Sequence, residues 1–223
     1  MLAPDAVVQS IARDLATTVQ AIAAGPMTEV TGPLTSKLQV IALPLAPPVS
    51  LEEAQKLARH VPKDIGFVPY PDKNRESNWI RALLQHYQEN IPFPQTSADR
   101  ACTDDGFLLR EIPDHREFPC VYEETIVAMI GPLVFVSMQG EVCSPIGLAI
   151  KNAYRDAHPI WVSAYMGEHN LYIPTEALVK RKAYEAQVIK TQYASPVGWA
   201  PEVESEMVKG VKKMIDQALT VKP

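Results

Sequence analysis

The chain has 223 residues, of which 47% are hydrophobic and 21% charged, and its net charge is −5. This length suits one large domain or two small ones with a sizeable core. The acidic balance argues against a nucleic-acid partner, and no apolar run approaches the roughly 20 residues of a membrane span. The opening residues, MLAPDAVVQSIARDLA, also lack the basic and apolar regions of a signal peptide.

The N-terminal part of the chain predicts a helix, a strand and a second helix. Apolar residues at spacings of three and four over residues 5–24 are typical of an amphipathic helix. The segment KLQVIALPL (37–45) predicts a strand, and Ser50 with Glu53 has the spacing of a capping box that begins another helix. The apolar stripe of the first helix consists of Val8, Ile11, Leu15, Val19 and Ile22.

The rest of the chain predicts a helix, a long loop, a hairpin and two further helices. Residues 76–90 have the apolar spacing of a helix, and residues 91–119, rich in Pro, Asp and Thr, predict a loop. The segments VYEETIVAMI and LVFVSM predict a β-hairpin around Gly131-Pro132. Ser144 and Pro145 have the order expected of an N-cap and first helical residue, so a helix is predicted there. The final helix covers about 201–219.

The central segments predict an α/β fold, a mixed sheet with a βαβ unit flanked by helices. Strand 133–138, helix 144–154 and strand 159–166 form this unit if the two strands are parallel neighbours. Open α/β sheets bind ligands at the carboxyl ends of their strands. Polar residues follow both strands, and we expect them to converge at one edge: Glu141, Glu168, His169 and Tyr172.

Each of these residues also has a structural interpretation. Glu141 could be a carboxylate favoured by the dipole of the following helix, and Tyr172 an aromatic side chain that packs on the sheet. His169 and Glu168 could be solvated loop residues, or a substitute metal ligand and a general base. No GxSxG motif occurs, and neither Ser137, which is predicted to lie within a strand, nor Ser144, a predicted N-cap, has a histidine nearby in sequence.

The same residues resemble the neutral/alkaline, non-lysosomal ceramidase family. The segment GPLVFVSMQGEVCSPIGLAIK is followed by YIPTEA and AYEAQ. That order is similar to the family's hairpin ending in a Pro-Gly-Glu triplet, its glycine-bearing helix, its Tyr-x-x-Thr motif and its Tyr-Glu pair. The matching positions are Gln139-Gly140-Glu141, Gly147, Tyr172 to Thr175, and Tyr184-Glu185. The resemblance is clear over about 120–195 and faint over 5–45.

The resemblance implies a zinc-dependent amidase that cleaves the N-acyl bond of ceramide or a similar lipid-like or small-molecule substrate. In the family, two histidines, the glutamate of the triplet and the tyrosine of Tyr-x-x-Thr hold the metal. Glu141 and Tyr172 would therefore be zinc ligands here. A carboxylate is a common zinc ligand, and a dication stabilises the phenolate form of tyrosine.

The chain departs from the family in three respects. Gln139 stands where the triplet has proline, and none of the five histidines maps onto a family ligand. In the family, the two histidine ligands and the nucleophilic serine lie in an N-terminal part of the catalytic domain, and we expect this sequence to begin after that part. Residues 1–223 are therefore interpreted as one ceramidase-like α/β domain, part of a larger hydrolase domain and either truncated or inactive.

Two hypotheses remain open beside that one. The chain could be a non-catalytic α/β module that keeps the scaffold and binds a ligand or partner, or a hydrolase that rebuilt its site from His169, Glu168 and the 91–119 loop. An uncovered core surface would also predict self-association. The sequence leaves the compartment open, although family members are often secreted or membrane-associated.

Overall fold

The computed structural model of the chain describes residues 4–61, 76–91, 120–166 and 171–220. These residues confirm the predicted α/β class, with a mixed sheet and flanking helices. The helices are α1 Pro4–Ala23, α2 Leu51–Ala58, α3 Glu76–Gln88, α4 Ser144–Tyr154, α5 Glu176–Lys180, α6 Tyr184–Thr191 and α7 Val203–Thr220. The strands are β1 Leu34–Pro44, β2 Cys120–Ile130, β3 Leu133–Met138, β4 Glu141–Val142, β5 Ile160–Ser163 and β6 Tyr172–Ile173.

The main sheet has four strands in the order β1-β2-β3-β5. The strands β1, β2 and β3 are antiparallel neighbours, whereas β3 and β5 are parallel, with Val134 opposite Ile160 and Ser137 opposite Ser163. The predicted hairpin and βαβ unit are therefore both confirmed, because α4 connects the two parallel strands.

Helices α4 and α7 cover one side of this sheet, which we call the covered face. Alternate strand residues point to it, and Val136 and Met138 are fully buried there together with Ile150 of α4 and Ile215 of α7. The helix α7 lies so close that a Cβ at Gly210 would stand 2.7 Å from the Cδ1 of Ile41. The burial of apolar side chains on both sides of this contact stabilises the α/β core.

A second apolar cluster joins α2 and α3. The predicted start of α2 at Ser50 is confirmed, since the Ser50 hydroxyl caps the helix by accepting a hydrogen bond of 3.2 Å from the Glu53 amide. The Asn78 side chain donates to the Thr191 carbonyl of α6 at 2.9 Å, which ties α3 to the rest of the fold. The cluster consists of Ala54, Trp79, Ile80 and Leu83.

The other side of the main sheet is covered at one end, where Ala42, Cys120 and Tyr122 are buried. At the other end, no helix of the described residues packs on the apolar side chains, and we call this part the open face. Residues directly opposite each other in adjacent strands share a face, so Leu38 and Ile126 belong together here, as do Phe135 and Trp161. Leu38 and Trp161 are 54% and 61% exposed. The apolar residues of the open face are Leu34, Leu38, Ile126, Ile130, Leu133, Phe135 and Trp161.

The start of α4, the 91–119 loop and the absence of a membrane span were also predicted from the sequence. The N-cap of α4 is Cys143 rather than Ser144, because the helix begins at Ser144, one residue earlier than predicted. The Cys143 amide donates to the Ile173 carbonyl at 3.1 Å. Nearly all of the predicted 91–119 loop, residues 92–119, lies outside the described residues. Among the described helices, none combines the length and the hydropathy that a bilayer crossing requires.

Candidate metal centre

A short parallel ladder places Glu141 beside Tyr172. Two residues separate the end of β3 from strand β4, which pairs with β6 and has Glu141 directly opposite Tyr172. The Glu141 amide donates to the Leu171 carbonyl at 2.8 Å. Adjacent strands lie about 4.8 Å apart, so this ladder makes neighbours of two residues that are far apart in sequence. The edge of the main sheet was predicted to do this, but a separate two-stranded sheet does it.

Gly140 allows this ladder to form. Its φ of +70° lies in the left-handed region, and a Cβ there would stand 2.5 Å from the Leu171 carbonyl oxygen. A side chain at this position would therefore push β4 away from the segment that leads into Tyr172.

A tyrosine that the sequence analysis did not single out completes the contact. Tyr165 follows β5 and donates from its hydroxyl to the Glu141 Oε2 at 2.9 Å. Its backbone has a φ of +61°, and its amide donates to the Gly140 carbonyl at 2.9 Å. A non-glycine residue in this conformation is uncommon and points to a constrained position. The only signal in the sequence was an aromatic residue at the end of a predicted strand.

The electrostatics of this cluster keep the phenols protonated. The hydrogen bond to Glu141, with burial and the carboxylate charge adding to it, raises the pKa of Tyr172 to about 12. The same hydrogen bond raises the pKa of Tyr165. Burial raises the pKa of Tyr193, and the Glu141 charge contributes to that shift. A negative charge disfavours phenolate formation, so both hydroxyls act as donors to the carboxylate.

The other residues of the family motifs support the position of Tyr172. The Tyr184 ring packs edge-on against the Tyr172 ring, with centroids 5.8 Å apart and an interplanar angle of 70°. The Thr175 hydroxyl caps α5 by accepting a hydrogen bond of 3.3 Å from the Leu178 amide.

The donor chemistry of the pair fits a cationic metal. The Tyr172 phenol donates a hydrogen bond to the Glu141 carboxylate, and a metal ion could take the place of that proton. Catalytic zinc sites normally have three protein ligands. Among the described residues, no three His, Cys, Asp or Glu side chains form a group that could hold a metal. Glu168 and His169, the two other candidates, lie at 167–170, outside those residues.

Neither a protein-family model nor a curated protein matches the chain. The family resemblance therefore depends on the motifs and on where their residues lie in the fold.

Proposed function

We propose that this chain provides part of the active site of a ceramidase-like, zinc-dependent amide hydrolase. Glu141 and Tyr172 would be two of the zinc ligands, His169 would be the candidate for a third, and Glu168 the candidate general base. The observation that carries the proposal is the direct opposition of Glu141 and Tyr172 across the ladder, with their side chains hydrogen-bonded. The substrate would be an N-acyl lipid or a similar small amide.

Bound zinc would polarise the amide carbonyl and activate the attacking nucleophile. Glu141 would supply the anionic ligand, and the hydrogen bond from Tyr165 would orient its carboxylate. Tyr172 would release its proton on metal binding. Because its pKa is about 12 in the free chain, zinc affinity should rise with pH through the neutral range. The Tyr184 ring would limit the movement of the Tyr172 ring.

The test is a zinc titration of the purified chain against a chromophoric chelator. We expect wild type to bind zinc and Glu141→Ala/Tyr172→Phe to bind it at least about 100-fold more weakly, a loss beyond that typical of outer-shell changes. Tyr193→Phe is the matched control, because it removes a nearby phenol that is not hydrogen-bonded to Glu141 in the structure. A wild-type chain without zinc affinity would exclude the metal site in the isolated chain.

A spectroscopic measurement separates Tyr172 ligation from simple binding at Glu141. Metal binding should produce the ultraviolet difference band of tyrosinate in wild type and not in Tyr172→Phe. Hydrolysis of a fluorogenic N-acyl amide, with zinc and after chelation, then tests the reaction itself. Binding without turnover would favour the alternative below.

The alternative is a non-catalytic α/β module that binds a ligand or partner. The described hydroxyls near the ladder favour this hypothesis. Ser137 is buried within β3 at 1% exposure, and Ser144 begins α4, so neither is positioned as a nucleophile beside a base. Under this alternative, Glu141 and Tyr172 would bind a metal or a polar ligand, and no amide would be cleaved.

A further inference from the structure

Strand β5 forms one edge of the main sheet. In the strand order β1-β2-β3-β5 it is hydrogen-bonded to β3 alone. The Val134 amide donates to the Pro159 carbonyl at 3.0 Å, and alternate residues of a strand bond to the same neighbour in a parallel ladder. The odd-numbered residues of β5 therefore bond to β3, whereas Ile160 and Val162 direct their amides and carbonyls away from it.

This edge is ready to accept another strand. The outward amides and carbonyls of Ile160 and Val162 have no hydrogen-bond partner within the part of the chain that the structure describes. Unpaired backbone groups along a sheet edge are a template for an added strand, and natural sheets often protect them with proline or charged side chains. The sequence of β5, IWVS, contains neither.

A groove of about 280 Å³ is lined by residues of this strand and of α4. Its floor is apolar and includes Met138 and Val162, and its helical wall carries Leu148, which is 56% exposed. Gly147 keeps the wall open, because a Cβ there would already stand 3.5 Å from the Val162 side chain. A strand added to β5 would therefore place alternate side chains beside this apolar groove.

Lys151 gives the groove a charge at one end. It is the charged residue among the described lining residues, and it forms no ion pair with any other described residue. Lys151 lies seven residues after Ser144, about 10 Å along the helix. Because α4 connects two parallel strands, it runs antiparallel to β5, which places Lys151 toward the Ile160 end of the groove.

We propose that β5 is the docking site for an extended segment of a partner protein, which adds to the sheet as a strand antiparallel to β5. The segment has an apolar residue that enters the groove and, two positions later, an acidic residue that pairs with Lys151. The outward groups of Ile160 and Val162 select an extended backbone, and Lys151 selects an acidic segment over a basic one. The contact uses neither Glu141 nor Tyr172, so the proposal does not depend on zinc binding.

The test is isothermal titration calorimetry of the full chain with a blocked peptide of sequence Ser-Thr-Leu-Thr-Asp-Thr-Ser. Its leucine and aspartate lie on one side of an extended strand and its threonines on the other. We expect the peptide to bind wild type and to protect the amides of Ile160 and Val162 from hydrogen exchange, as measured by NMR.

Two methylated peptides test the backbone pairing on the unchanged chain. The leucine and the aspartate would stand opposite Val162 and Ile160, so their own amides would face β5. N-methylation of these two amides should abolish binding, because it removes both donors. N-methylation of the two threonines that flank the aspartate is the matched control, since those amides face away from β5, and binding should persist.

A proline substitution tests the same pairing from the side of the chain. Val162→Pro removes an outward amide without breaking a bond to β3, and proline is tolerated where the amide faces away from the sheet. We expect about tenfold or more weaker binding, because a peptide carbonyl loses its donor. Val162→Ala is the matched control, since it shortens the same side chain and keeps the amide, and it should bind more tightly than Val162→Pro. Circular dichroism checks that both variants fold.

A charge exchange tests the role of Lys151. A peptide with lysine in place of the aspartate should bind wild type about threefold or more weakly than the original peptide. Lys151→Glu should reverse this preference, because the two charges are exchanged across the same contact. Lys151 is exposed, so the variant should fold as wild type does.

Four outcomes would overturn the proposal. Absence of binding to wild type would mean that β5 does not accept a peptide strand. Equal affinity for the peptide methylated at leucine and aspartate would exclude backbone pairing with β5. An unchanged preference in Lys151→Glu would exclude an acidic residue beside Lys151. If sedimentation velocity shows that wild type self-associates and Val162→Pro does not, the edge pairs with a second copy instead of a partner protein.

Discussion

The two faces of the main sheet differ in their covering more than in their composition. Val127 and Val136 point to the covered face and are buried beneath α4 and α7. Leu38 and Ile126, equally apolar, point to the open face, where Leu38 is 54% exposed. Strand alternation divides the residues between the two faces, but it does not supply a second layer. The apolar character of a sheet face thus indicates that another element packs on it. It does not indicate which element that is.

The largest expected difference between the faces concerns matched truncations. Ile215→Ala removes a fully buried side chain of α7 from the covered face, so it should lower the free energy of unfolding by roughly 2–5 kcal/mol. Leu34→Ala removes a side chain that is 70% exposed on the open face and should cost less than about 0.5 kcal/mol in dilute protein. Urea denaturation measures both. Equal losses would mean that the open face is covered within the single chain.

Glu123 and Glu124 extend the comparison to charged residues. Glu123 points to the covered face and is fully buried, and burial, followed by the charge of Glu124, raises its pKa from 4.5 to about 8. The folded state therefore retains a proton that the unfolded state loses between these values. The stabilising contribution is fully present below pH 4.5 and is lost as pH rises through 8.

We therefore expect Glu123→Gln to raise the free energy of unfolding on the order of 3 kcal/mol at about pH 7, and to flatten the dependence of stability on pH above 4.5. Glu124→Gln is the matched control, because Glu124 is half-buried on the opposite side of the same strand. It should change the free energy of unfolding only slightly, by removing a charge next to Glu123. Denaturation at a series of pH values measures the difference. If the free energy of unfolding of Glu123→Gln still falls steeply between pH 4.5 and 8, titration of Glu123 is not the cause of the pH dependence.

A smaller loss of stability is expected at Gly140, which allows the Glu141–Tyr172 ladder to form. Gly140→Ala places a Cβ 2.5 Å from the Leu171 carbonyl oxygen at a positive φ. We expect a loss of about 1–3 kcal/mol together with weaker zinc binding, because β4 must move away from Leu171. Gly147→Ala is the control, since its Cβ would make an ordinary 3.5 Å contact with Val162. Unchanged zinc affinity in Gly140→Ala would show that metal binding does not depend on the ladder.

The smallest effect concerns the two helix starts near the site. Thr175→Ala removes the side-chain cap of α5 and should cost about 1 kcal/mol. Ser144→Ala should have almost no effect, because the N-cap of α4 is Cys143, which makes no side-chain cap hydrogen bond. Thermal unfolding distinguishes them. A larger loss in Ser144→Ala than in Thr175→Ala would restore the sequence-based assignment of the cap.

Local patterns predicted much of the fold. The N-cap at Ser50, the hairpin around Gly131 and the apolar spacing of α1, α3 and α7 are short-range signals, and each element formed where it was expected. The ladder of β4 with β6 was not predicted, because two-residue strands have no periodicity to detect. Tyr165 was missed for a related reason: its bond to Glu141 depends on the turn after β5.

Sequence periodicity established which residues of each strand and helix share a side, because alternation and the helical repeat are properties of the backbone. It also placed a glutamate and a tyrosine directly after neighbouring parallel strands. The pairing of β4 with β6, the burial of Glu123 and the exposure of α1 arose only in the assembled chain. Each depends on contacts between segments distant in sequence, whose free energy no local pattern contains.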